Sequence, residues 1–112
     1  MDPFTERYEE LRAAYRTRLA GELSALRALA KRLALTESAP AAEPALIEEI
    51  RQMAHRMAGA AGMFEAASIA DAAGLLEDAA APPRESADGF WRDGLRGALD
   101  HLMRQIEASG AG

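Results

Sequence analysis

From Asp2 to Leu35 apolar residues recur every three or four positions: Tyr8, Leu11, Tyr15, Leu19, Leu23, Leu26, Leu29 or Ala30, and Leu33. That spacing follows the helical repeat of about 3.6 residues and predicts a long helix with one buried face. Asp2 followed by Pro3 reads as an N-cap with proline at the first helical position. Gly21 offers a point at which the segment divides into a short lead-in helix and a main one.

A second helix is predicted from Pro44 to Met63, after a linker from Thr36 to Glu43 that contains Ser38 and Pro40. Advancing about 100° per residue places Leu46, Ile47, Ile50, Met53, Ala54, Met57, Ala61 and Phe64 on one broad arc. Glu48, Arg51, Gln52, His55, Gly59 and Gly62 fall on the other. A tight turn near Phe64-Glu65 leads to a third helix from Ala66 to Ala80, with Ile69, Ala73, Leu76 and Ala80 inward.

Ala81-Pro82-Pro83 stops that helix, and Ser86 caps a fourth that runs to Ala108. Trp91, Leu95, Ala98, Leu99, Leu102 and Ile106 form its apolar stripe, with Trp91 as a core anchor. Four helices joined by mostly short links imply an all-α, antiparallel up-down-up-down four-helix bundle occupying residues 1–112 as a single domain.

Composition narrows the function. The chain has 112 residues, enough for one core and too few for a nucleotide-binding catalytic domain with anything else attached. A net charge of −5 disfavours nucleic acid or an anionic membrane as partner, because both require a basic footprint. No apolar run has the length of a membrane span, and Met1-Asp2-Pro3 is unlike a secretory signal, so the expected location is the cytoplasm. With no cysteine, disulfide and thiolate chemistry are absent.

His55 carries the candidate chemistry. It lies roughly 150° from the centre of the second helix's apolar arc, so its imidazole is expected in solvent. Gly59 and Gly62 share its face, and each glycine in a helix interior is less favourable than alanine by about 1 kcal/mol. Close approach of another molecule to the imidazole explains Gly59. Gly62 admits a second explanation, the start of the helix C-cap. His101, roughly 120° from the centre of the fourth helix's stripe and surrounded by Ala98, Arg104 and Gln105, reads as an ordinary exposed residue. Two histidines on different helices, with no i, i+4 pair and no carboxylate–histidine cluster, make a poor metal site.

The run His55-Arg56-Met57-Ala58-Gly59, followed by Ala60-Ala61-Gly62-Met63-Phe64, resembles the histidine-containing phosphotransfer (HPt) domain family of bacterial phosphorelays. The likeness lies in the order: histidine, a large apolar residue two on, glycine four on, small residues, then an apolar residue closing the helix. The four-helix layout extends it over most of the chain. The resemblance implies that His55 accepts a phosphoryl group from the aspartate of a receiver domain and passes it to another. It implies no nucleotide, metal or other cofactor site on this chain, since the partner receiver supplies the divalent metal. Response-regulator receivers, and a hybrid sensor kinase, are the implied partners, and the protein is then a phosphoryl carrier and not an enzyme.

Two departures stand out. The family usually carries lysine three residues after the histidine, where this chain has Ala58, and Glu65 stands where a second glycine is common. Arg51, one turn before His55, is the candidate bidentate partner for the phosphate, with Arg56 to its flank. Gln52, Gly59, Gly62 and Met63 complete the expected docking face. The competing expectation is a helical adaptor that binds a receiver or sensor kinase without transferring anything, with Ala58 as the mark of lost chemistry. A monomer is expected, because four helices close their own core.

Overall fold

A computed structural model of the chain describes residues 2–38, 43–64, 66–81 and 90–110. Four helices follow one another: α1 (Pro3–Leu35), α2 (Glu43–Met63), α3 (Ala67–Ala80) and α4 (Phe90–Ala108). The expected proline stop at Pro82 and Pro83, the Ser86 cap, Pro40 and Glu65 lie outside the described residues. α1 opens as the sequence predicts, with Asp2 Oδ1 accepting the Phe4 N–H at 3.0 Å and Pro3 in the first turn. It runs through Gly21 without a break, so the lead-in and main segments are one helix of 33 residues.

Inter-helix contacts define the topology. α1 packs on α2 and α4, and α3 packs on the same two, which makes a four-cornered ring. Arg32 pairs with Glu49 at one level and Tyr15 stacks on Phe64 at another, so α1 and α2 run antiparallel. Arg27 with Glu107 and Arg96 with Glu37 give the same sense for α1 and α4. These exposed pairs report the register more than they hold it, since surface ion pairs contribute about 0–1 kcal/mol each.

Apolar burial holds the bundle more strongly. Leu23, Leu26, Leu33, Leu46, Ile47, Ile50, Met57, Leu76, Leu95, Leu99, Leu102 and Ile106 are all buried within the ring. Removing such a side chain from water contributes about 1.5–3 kcal/mol. Met53, Phe64, Trp91 and Ala98 are half-buried against this core, so Trp91 anchors it from the edge, with the Arg92 guanidinium 5.2 Å from its ring. Arg92 also pairs with Glu43, tying the start of α4 to the start of α2.

One expectation fails on α1. Tyr8 and Leu11, assigned by periodicity to the core, are 40% and 41% exposed. The physical reason is length. At about 1.5 Å per residue α1 extends roughly 50 Å, whereas α2 has 21 residues and ends beside Tyr15. The first turns of α1 therefore project past the bundle, which accounts for a long dimension of 58 Å against 21 Å across.

Candidate functional site

The face of α2 opposite the core is set by Leu46, Ile47, Ile50, Ala54, Met57 and Ala61, which are buried. Their phase turns Gln52, His55, Arg56, Gly59 and Gly62 outward, and all five are exposed. The His55 side chain is 71% exposed. Its Nδ1 lies 2.8 Å from Oε2 of Glu77, which reaches across from α3. An ionised carboxylate only accepts, so with Glu77 as the acceptor Nδ1 carries the proton, and in the neutral ring this tautomer leaves its lone pair on Nε2.

Periodicity does not single out Glu77. The available signal is positional: it stands four residues after Ala73 and three before Ala80, on the edge of the α3 face that meets α2. Its side chain is 29% exposed beside His55.

Arg51 lies one turn before His55 on the same side. Its Nε donates to Glu48 Oε2 at 2.8 Å and its second guanidinium nitrogen to Glu48 Oε1, a bidentate arrangement within one turn. That hydrogen-bonding, with the negative charge of Glu48, holds the guanidinium pKa above its ordinary value. Gln52 donates to the same carboxylate at 3.2 Å. The expected phosphate ligand is thus parked on Glu48, and contact with a phosphoryl group on His55 requires it to exchange one carboxylate for another anion.

The two glycines behave alike. A Cβ built on Gly59 or Gly62 meets nothing within 4 Å, so neither is required by packing inside this chain. Gly62 keeps helical conformation, and α2 continues to Met63 before Phe64 N–H and Ala66 N–H both turn back onto the Ala61 carbonyl. The C-cap explanation for Gly62 therefore falls away. Met63 is 76% exposed beyond them. Ala58 is half-buried against the core edge, with no charge to offer at that position.

Arg56 flanks the site from the α1 side. With Ala25, Ala28, Leu29, Glu49 and Met53 it borders a shallow cleft of about 370 Å³ between α1 and α2. His101 is half-buried on α4 rather than exposed as expected, as is Ala98 one turn earlier at the border of the buried stripe. Among the described residues no group of three His, Cys, Asp or Glu side chains is arranged to hold a metal ion.

Comparison with protein families finds a match to the Hpt domain over residues 6–109. The chain belongs to the Hpt domain family. Hpt domains are phosphotransfer carriers of two-component phosphorelays and work with response-regulator receiver domains, which sets the broad role of this protein. Comparison with curated proteins and with solved structures returns no match. No described helix is long and apolar enough to cross a membrane.

Proposed function

We propose that His55 is the phosphoryl acceptor, taking the group from an aspartyl phosphate on one receiver domain and delivering it to the aspartate of another. The observation that supports this reading is the His55–Glu77 pair, an imidazole whose side chain is 71% exposed and whose Nδ1 is engaged at 2.8 Å.

The Nε2 lone pair attacks phosphorus, the N–P bond forms as the P–O bond to the receiver aspartate breaks, and that carboxylate leaves with the electron pair. The ring becomes a phosphorylated imidazolium that keeps its Nδ1 proton, and the Glu77 carboxylate balances the new positive charge. Delivery to a second receiver is the same step reversed. In phosphoryl transfer positioning and charge neutralisation dominate, and the receiver brings the second carboxylate and its divalent metal.

Gln52, Arg56, Gly59, Gly62 and Met63 form the surface on which the receiver settles, with Gly59 allowing its backbone to come down beside the imidazole. Arg51 is the cation that turns to the phosphoryl group once it arrives. A hybrid sensor kinase stands upstream, and the compartment is the cytoplasm, where receiver domains work. The second reading, an adaptor that binds without transfer, draws on Ala58, which leaves the site without a lysine.

The test is incubation of the protein and a His55→Gln variant with phosphorylated receiver domains, following acid-labile, base-stable label on this chain. Label on the wild type and none on the variant is expected. A receiver that binds and leaves no label selects the adaptor.

A further inference from the structure

The first turns of α1 carry a stripe with no cover among the described residues. Phe4 is 84% exposed, Tyr8 40% and Leu11 41%. At about 100° per residue these three and Tyr15 lie within roughly 60° of one another, on the side of α1 that Leu19, Leu23 and Leu26 bury in the bundle. The stripe therefore faces a step: α1 forms its back and the end of the bundle its floor. A flat lipid surface is kept off this stripe, since the bundle projects from the same side. At the base of the step Tyr15, Leu19, Phe64 and Ile69 border a cleft of about 170 Å³, with Arg12 and Arg16 at its rim.

We infer that the step is filled by a second copy of this chain, its α1 lying antiparallel on the first. A register centred between Glu9 and Glu10 sets Phe4 opposite the second copy's Tyr15 and Tyr8 opposite its Leu11, and the two-fold axis repeats both contacts. Phe4 then enters the cleft beside Tyr15 and Phe64, whose volume matches cavities of roughly 150 Å³ that accept a benzene ring.

The charges agree with this register. Arg12 comes within about 3 Å, measured along the axis, of the second copy's Glu9 on one flank, and Arg7 equally near its Glu10 on the other. Within one chain Arg12 lies over its own Tyr8 ring at 5.8 Å, beside the stripe, and Arg7 pairs with its own Glu10 at 3.4 Å. A parallel pairing sets Arg7 against Arg12 and drives the two bundles into each other. The overhangs are of equal length by symmetry, so each fills the step left by the other, as an isologous interface requires.

The expectation of a monomer rests on a core that closes itself, and the overhang lies outside that core. His55 stands nine residues before Phe64 on α2, about 14 Å up the bundle. A dimer of this kind leaves both imidazoles open.

Sedimentation between roughly 1 µM and 1 mM tests the inference on the full chain. The wild type is expected at twice its 12.0 kDa mass. Leu11→Glu, which places a carboxylate in an apolar seam, is expected to weaken association by about a hundredfold or more with unchanged helix content. Arg7→Glu weakens it, and Arg7→Glu combined with Glu10→Arg restores it. A wild type that stays monomeric throughout overturns the inference, as does dimerisation that survives Leu11→Glu or a charge exchange that fails to restore it. Labelling of His55 in the Leu11→Glu variant is expected to persist, so this outcome and that of the phosphotransfer reading are read separately.

Discussion

Glu77 on α3 and His55 on α2 are joined at 2.8 Å through imidazole Nδ1. In the proposed transfer the bond orients the ring and places a negative charge beside the positive charge that phosphorylation would create. Orientation and charge are separable by mutation. Glu77→Gln keeps an acceptor oxygen and removes the charge, while Glu77→Ala removes both. Because His55 is 71% exposed, solvent screens the pair, and a loss of about 1 kcal/mol, or roughly fivefold in transfer rate, is expected for Glu77→Gln. Glu77→Ala is expected to be slower again. Rapid-quench transfer from a phosphorylated receiver measures both, and equal rates in all three proteins remove Glu77 from the chemistry.

Gly59 separates folding from docking. Its Cβ position is open, so Gly59→Ala should raise stability to urea by about 0.5–1 kcal/mol through helix propensity alone. Gly59→Leu should fold equally well and lose receiver binding. A leucine variant that folds and still accepts phosphate at the wild-type rate shows that no partner backbone approaches there.

In the proposed transfer Glu48 and the phosphoryl group compete for Arg51. If Arg51 leaves Glu48 for phosphohistidine, Arg51→Ala shortens the lifetime of the phosphorylated protein, and Glu48→Gln, which loosens the guanidinium, lengthens it. Ala58→Lys adds charge next to the ring and should lengthen the lifetime also. The decay of acid-labile label at neutral pH reads all three. A lifetime indifferent to both Arg51→Ala and Glu48→Gln leaves the arginine as a purely structural partner of Glu48.

The helices and the exposure of His55 are legible in the sequence because their information is local. The phase of Ile50, Ala54 and Met57 alone turns position 55 outward, and the Asp2-Pro3 pair marks where α1 starts. Periodicity names the face a residue occupies, and says nothing of how far the neighbouring helices extend. Tyr8 and Leu11 sit on the core face of α1 and remain exposed because α2 ends at the level of Tyr15. Glu77 is marked in the sequence only by its place at the border of the α3 apolar face, and its partner is illegible for a related reason. Its meeting with His55 depends on the relative rotation of α2 and α3, which is a property of two packed helices and not of either sequence.

Tyr15 links the fold to pH. It is buried under Phe64, with ring centroids 4.7 Å apart, at the place where α1 leaves the bundle. Burial, reinforced by the charge of Glu22 and opposed by that of Arg18, raises its phenol pKa above the usual 10.0. The neutral phenol is therefore the form the folded state prefers. Below about pH 10 folded and unfolded chains both hold the proton, and this group adds no pH dependence. As pH rises past that point the unfolded chain releases its proton first and binds fewer protons than the folded one, so stability falls until the folded phenol titrates too. Tyr15→Phe keeps the ring stack and has no proton to lose. Urea midpoints measured from about pH 8 to 11 should decline less steeply for Tyr15→Phe than for the wild type, and parallel declines would show that the phenol is as well solvated in the bundle as in the unfolded chain.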